Sequence, residues 1–219
     1  MTKLRTRGLM AVAGVVLGAG AAQAGDAPWV DPTNATVKYV PPGHLTIAIV
    51  GSTHFWGGLT YSEEGTGLSY SDSTQVTESG KVSVAYEVYE GIELGAAVRY
   101  APSIKYAGVS SSNREVDVFG RVAFHVRPWN RLDLAFVADL GRSSIHEADA
   151  AVPDPTGFVM DLQAGVSYPL GAGLFGVTAL GYQRGFQNTT TESIPGQPEP
   201  TTYTTDFMHF DVGLAYRFL

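Results

Sequence analysis

The sequence predicts an all-β fold, an eight-stranded antiparallel up-and-down transmembrane β-barrel, and three observations carry that prediction. Period-two alternation recurs over eight segments of the 219-residue chain. The links between them fall in turn into short tight ones and long polar ones. The closing segment keeps an apolar face to its end while its other face carries both signs of charge. Met208, Phe210, Val212, Leu214, Tyr216 and Phe218 share one phase; His209, Asp211, Gly213, Ala215 and Arg217 share the other. Such a strand suits a wall with lipid outside and a polar interior.

Before the strands comes an export signal. Lys3, Arg5 and Arg7 form a basic head, Leu9 to Leu17 an apolar stretch, and Ala22-Gln23-Ala24 a small-x-small cleavage site. Residues 1–24 therefore read as a signal peptide, and Gly25 to Gly43, with its four prolines, as an irregular periplasmic lead-in. No later segment approaches the ~18 consecutive apolar residues of a spanning helix. In lipid only helices and closed barrels satisfy the backbone, so if this chain lives in a membrane it must span as strands. Charged residues make up only 16%, and the net charge of −7 argues against a nucleic-acid partner. The absence of cysteine excludes disulfides, thiolate metal sites, a thiol nucleophile and a Cys-linked lipid anchor.

The barrel is expected over residues 44–219. Leu45, Ile47 and Ile49 open a first strand running toward Phe55, and Tyr61 to Thr74 reads as a polar loop. Val82, Val84, Tyr86 and Val88 alternate with Lys81, Ser83, Ala85 and Glu87 before a tight turn at Tyr89-Glu90-Gly91. Ile92, Leu94, Ala96, Val98 and Tyr100 form the third strand, and a loop around Ser110 to Asn113 follows. Val116 to Val126 and Leu132 to Leu140 flank a turn at Arg127-Pro128-Trp129-Asn130. Met160 to Tyr168 is the sixth strand, and Pro169 to Gly173 turns the chain. In the seventh, Leu174 to Phe186, the phase is open; a Thr/Pro/Glu stretch from Asn188 to Thr202 then leads to the last strand. Short turns after even strands and long loops after odd ones are the asymmetry of an outer-membrane barrel, with both termini on the periplasmic side.

A soluble ligand-binding barrel would alternate similarly but turn its apolar phase inward. Here the charged phase is filled out with Gly, Ala and Ser, which suits a crowded lumen. The apolar phase carries no charge through the middle of six strands, as lipid contact requires, where a charge at mid-depth costs ~2–4 kcal/mol. Aromatics gather at both ends. Tyr86, Tyr89, Trp129, Tyr168, Tyr216 and Phe218 lie toward the short turns; Phe55, Trp56, Tyr100, Tyr106, Phe158, Tyr182, Phe186 and Phe207 lie toward the long loops.

With that phase, the lumen receives Lys81, Glu87, Glu93, Arg99, Asp117, Arg121, His125, Asp133, Asp139, Asp161, His209, Asp211 and Arg217. An eight-stranded barrel is about wide enough for its own side chains, so these charges must pair. The expectation is a structural ion-pair network that plugs the lumen; the alternative is a narrow conduit favouring cations. Arg142 and Arg184 lie outward near the external ends of their strands, where lipopolysaccharide phosphates would sit. His44, at the periplasmic start, needs no role beyond solvation. His146-Glu147 after Ser143-Ser144 is the one dense candidate for catalysis, with His54 able to join only if the fold brings it close. Such residues are common in a loop, so no catalytic, metal or cofactor-binding residue is expected. Asn34-Ala35-Thr36 reads as a chance sequon in an exported bacterial-type chain.

The alternation, the turn Glu90-Gly91-Ile92-Glu93-Leu94-Gly95 and the terminal Gly213-Leu214-Ala215-Tyr216-Arg217-Phe218 resemble the small eight-stranded outer-membrane barrels of the OmpA-transmembrane-domain, OmpX and OmpW type. The resemblance covers Gly43 to Leu219. It implies a monomer in the outer membrane of a Gram-negative bacterium, among lipids and lipopolysaccharide, assembled by the barrel-assembly machinery through the C-terminal strand. In that family the terminal residue is aromatic, whereas here Leu219 follows Phe218. The resemblance implies a structural or surface-interaction role through external loops. The alternatives are an OmpW-like passage for small or hydrophobic molecules and a lipid-modifying enzyme.

Overall fold

The computed structural model describes residues 43–63, 67, 69–73, 77–104, 113–129, 132–146, 154–194 and 197–218. The signal peptide, most of the lead-in, the sequon, Tyr106, Glu147 and Leu219 lie outside them. The strands are β1 (Leu45–Glu63), β2 (Ser69–Ser73), β3 (Thr77–Tyr89), β4 (Ile92–Ile104), β5 (Asn113–Trp129), β6 (Leu132–His146), β7 (Thr156–Gly171), β8 (Leu174–Ile194) and β9 (Gln197–Phe218). From β3 onward each pairs antiparallel with the next, β1 pairs with β3, and β1 with β9 closes the barrel. β2 is no ninth wall. It pairs with β1 at Gly58↔Ser73, four residues along both strands from His54↔Thr77, so it prolongs β3 in one register. The barrel therefore has eight walls.

Two expected loops are largely strand. Tyr61 to Thr74 contains the end of β1 and all of β2, and Asn188 to Thr202 contains the end of β8 and the start of β9. The β8–β9 hairpin pairs as far as Ile194↔Gln197. These hairpins rise past the apolar belt, where both faces are polar, so period-two hydrophobicity vanishes while Thr and Tyr still favour extended chain. Alternation reads membrane depth here, not strand length.

The outer surface is apolar. Ile49, Val82, Val98, Val118, Val122, Phe136, Leu140, Leu162, Leu180 and Phe210 are all exposed at mid-wall. A continuous belt of this kind is a membrane face, since monomeric soluble proteins rarely expose apolar patches beyond a few hundred Å². Tyr86, Tyr89, Tyr168, Tyr216 and Phe218 are exposed toward the short turns, and Phe55, Trp56, Tyr100, Phe158 and Phe186 toward the other end. A bulge between His54 and Trp56 lets consecutive Phe55 and Trp56 both face outward. Phe207 is a correction: it is fully buried in the lumen, on the same phase as His209 and Asp211, and does not join the external girdle.

At the short turns Gly91 and Gly173 hold left-handed backbone close against a neighbouring strand. Gly91 (φ 72°) would put a Cβ 2.8 Å from the His125 carbonyl oxygen, and Gly173 (φ 81°) one 2.7 Å from that of Arg217. Any side chain there would meet both strain and backbone.

Candidate functional site

Inward-facing residues build the barrel's polar interior in three tiers. Nearest the short turns, Arg217 donates from Nη2 to Asp133 Oδ2 at 2.6 Å and covers the Phe175 ring at 4.4 Å. His125 lies 3.1 Å from Asp133 and 3.4 Å from Glu93. His44 lies 2.8 Å from Glu87 and 3.3 Å from Glu93. His44 is thus buried between two carboxylates and not merely solvated, a correction that follows from its place just before β1, on the inward phase that Ala48 and Val50 continue.

The middle tier centres on Lys81. Its Nζ lies 3.3 Å from Asp139, 3.1 Å from Asp161 and 3.8 Å from Asp211. Arg121 donates from Nε to Asp139 at 2.8 Å and reaches Ser83. His209 completes the tier, with Nδ1 2.7 Å from Asp211 and Nε2 3.0 Å from Asp161. His44, His125 and His209 each lie between two carboxylates.

In the upper tier Arg99 donates to Glu115 at 2.6 Å and to Asp117 at 2.7 Å, with His54 at 3.2 Å. Ser143 donates to Glu115 at 3.0 Å, Gln187 to Ser143 at 3.2 Å, and Gln183 to Asp117 at 3.4 Å. The His54 ring stacks on Phe207 at 5.2 Å. Above it Leu59, Ala101, Ile104 and Phe207 form an apolar roof with Tyr203 against it.

Among the described residues the buried lumen holds nine carboxylates, Glu63 included, against the cations Lys81, Arg99, Arg121 and Arg217. That surplus explains why histidines and glutamines fill the remaining contacts. Small neighbours make the crowding possible: a Cβ on Gly181 would stand 2.3 Å from His209 Nε2. Filling is incomplete between the lower two tiers. A cavity of about 90 Å³ there is lined by Ala48, Ala85, Ala123, Ala135, Val177 and Ala179, with Lys81 and Arg121 on one side and Glu93 and Arg217 on the other. It has room for a few water molecules.

All thirteen lumenal residues named from sequence lie inside, in contact with one another or with neighbours in the tiers above. Glu115 was missed although it continues the phase of Asp117 by two residues. Gln183 and Gln187 were missed because β8 alternates weakly. Arg142 and Arg184 lie on the outer face; Arg142 donates to Thr156 at 3.4 Å, and Arg184 lies 3.6 Å from Asp206 and 5.1 Å over the Phe186 ring. Of the cluster at residues 143–147, the described part, 143–146, divides between two faces. Ser143 is buried in the lumen, while His146 is exposed and 2.7 Å from Asp154. His54 belongs to the upper tier with Arg99 and touches the ring of His209 in the tier below, on the opposite side of the wall from His146.

No protein-family model and no curated protein matches the chain. Solved structures do. The outer membrane protein AlkL aligns with TM-score 0.57 at 17% identity, over 84% of this chain and 95% of that one. The chain has the fold of the small outer-membrane β-barrels. Outer membrane protein OprG of Pseudomonas aeruginosa aligns at TM-score 0.54 and 12% identity, over 81% of this chain and 96% of the other. Neisserial surface protein A gives TM-score 0.53 and 11% identity, over 79% and 97%. For a small outer-membrane barrel, identities this low establish shared architecture and no shared role.

Proposed function

We propose that this is a monomeric integral protein of a Gram-negative outer membrane, acting at its external surface and not by passage through its lumen or by catalysis. The observation that carries this reading is the stacked ion-pair network. Moving a solute through it would require breaking Lys81 from its three carboxylates and Arg99 from Glu115 and Asp117, each in a desolvated setting where separation is costly. The external hairpins offer the contact surface: Tyr70, Tyr61 and Tyr203 stand in register across β2, β1 and β9. Tyr70 donates to Asp72 at 3.1 Å, which holds its phenol above the ordinary pKa, and Tyr61 donates to Glu63 at 3.1 Å. Folding through the barrel-assembly machinery by way of β9 and contact with lipopolysaccharide belong to the same reading. Planar-bilayer recording tests it: the expected result is no stable single-channel step, and large steady steps would overturn it.

A second reading, a narrow passage for small molecules, draws on the cavity between the lower tiers and the apolar roof. A small cation-selective conductance that grows when Arg99 or Phe207 is truncated would favour it. For catalysis, His146→Ala is expected to leave the lipid composition of the host membrane unchanged, and a change would reopen the enzymatic alternative.

A further inference from the structure

The apolar outer wall is uneven in a way that ion pairs in the lumen do not explain. Between β5 and β9 it carries a shallow, open groove of about 570 Å³, adjoining a second shallow one of about 300 Å³ that shares Phe136, Ala164 and Leu180. The depression arises because Ala138 and Ala164 stand beside Phe124, Phe136, Leu162 and Leu180, so small floor positions are walled by large ones.

Charge is uneven on the same side. Among the described side chains, the outward-facing cations are Arg114 on β5, Arg142 on β6 and Arg184 on β8, all toward the external end. The described outer faces of β1, β2, β3, β4, β7 and β9 carry no Lys or Arg. Register sets the arginines over the groove. Arg184 pairs with Met160, one outward position above the Leu162–Tyr182 pair that lines it, and Arg142 pairs with Phe158 one position higher. Arg142 engages Thr156 and Arg184 engages Asp206, contacts that use few of the five donors each guanidinium has. The Asp206 carboxylate neutralises part of the local charge and anchors one arginine.

We propose that this face of the barrel is a binding site for a phosphate-bearing lipid of the outer leaflet, its phosphate on Arg142 and Arg184 and an acyl chain in the groove below. The inference rests on placing the barrel in an outer membrane. Fork-shaped guanidinium groups suit bidentate phosphate contacts, and the apolar hollow distinguishes a seated chain from a passing one.

The test uses the folded protein in detergent, with heat-dependent gel mobility reporting the intact barrel. Bis-phosphorylated lipid A, the same lipid dephosphorylated, and inorganic phosphate are titrated as probes, with bound lipid read by native mass spectrometry. Bis-phosphorylated lipid A is expected to bind wild type at least about tenfold more tightly than Arg142→Gln/Arg184→Gln, the loss of two charge-assisted contacts. Arg142→Lys/Arg184→Lys, which keeps charge but loses the fork, should fall between. Ala164→Trp, which fills the groove and spares both arginines, should weaken lipid binding as well. Equal affinity for the phosphorylated and dephosphorylated lipids, or for wild type and the double Gln variant, would overturn the proposal. So would displacement of the lipid by inorganic phosphate at concentrations comparable to the lipid's own, since the groove would then add nothing to the phosphate contacts. An intact barrel band without lipid separates these failures from failure of the barrel reading itself.

Discussion

Lys81 and Asp161 stand eighty residues apart in the chain and meet at 3.1 Å at the centre of the barrel. Lys81 comes from β3 and Asp161 from β7, on opposite walls, so the contact crosses the lumen. It exists only because the sheet closes. Lys81→Met would leave Asp139, Asp161 and Asp211 facing one another with one cation fewer, at a cost of about 3–5 kcal/mol. Adding Asp161→Asn should recover part of that loss. Equilibrium urea unfolding in liposomes, read by tryptophan fluorescence, measures both.

Gly181 tests how tightly the interior is filled. Its missing side chain is the space that His209 occupies. Gly181→Ala is expected to destabilise by about 1–3 kcal/mol, the usual range for overpacking. Combining it with His209→Ala should cost less than the two single changes summed, because the clash goes with the ring. If the effects simply add, the side chains do not compete for one space.

The turn at Gly91 makes a backbone prediction. Gly91→Ala puts a Cβ in left-handed geometry and against the His125 carbonyl, and should cost at least about 1–2 kcal/mol. Gly80→Ala meets nothing within 4 Å and should stay within about 0.5 kcal/mol. Comparing the unfolding midpoints of the two variants checks the contrast.

The outer wall makes the fourth. Val98 is exposed midway along β4. Val98→Arg should destabilise the barrel by about 2–4 kcal/mol in a bilayer, falling toward zero for Thr60→Arg on the outward face of the external hairpin. Similar costs at both sites would mean that the exposed belt does not sit in hydrocarbon.

Much of this was legible in residues. Strand count, the lipid-facing phase of seven strands and the thirteen lumenal groups follow from a period of two, because a pleat sends alternate side chains to opposite faces. Glu115 was readable by the same rule, one step further along β5. The external halves of β1, β8 and β9 were not, because outside lipid neither face must be apolar. The bulge at His54 and Trp56 was equally hidden: it inserts a residue without any change of composition to mark it.

By itself the sequence determined which side of seven of the eight strands meets lipid and which charges on them are shut inside, since burying or exposing the wrong phase in hydrocarbon costs several kcal/mol per charge. Partners were decided by tertiary structure alone. Closure of β1 on β9 and the stagger of the strands set Lys81 against Asp139, Asp161 and Asp211, His54 against Phe207, and Arg142 and Arg184 above one groove. Those contacts join strands far apart in the chain, and a pattern that repeats every two residues carries no information about which wall stands opposite.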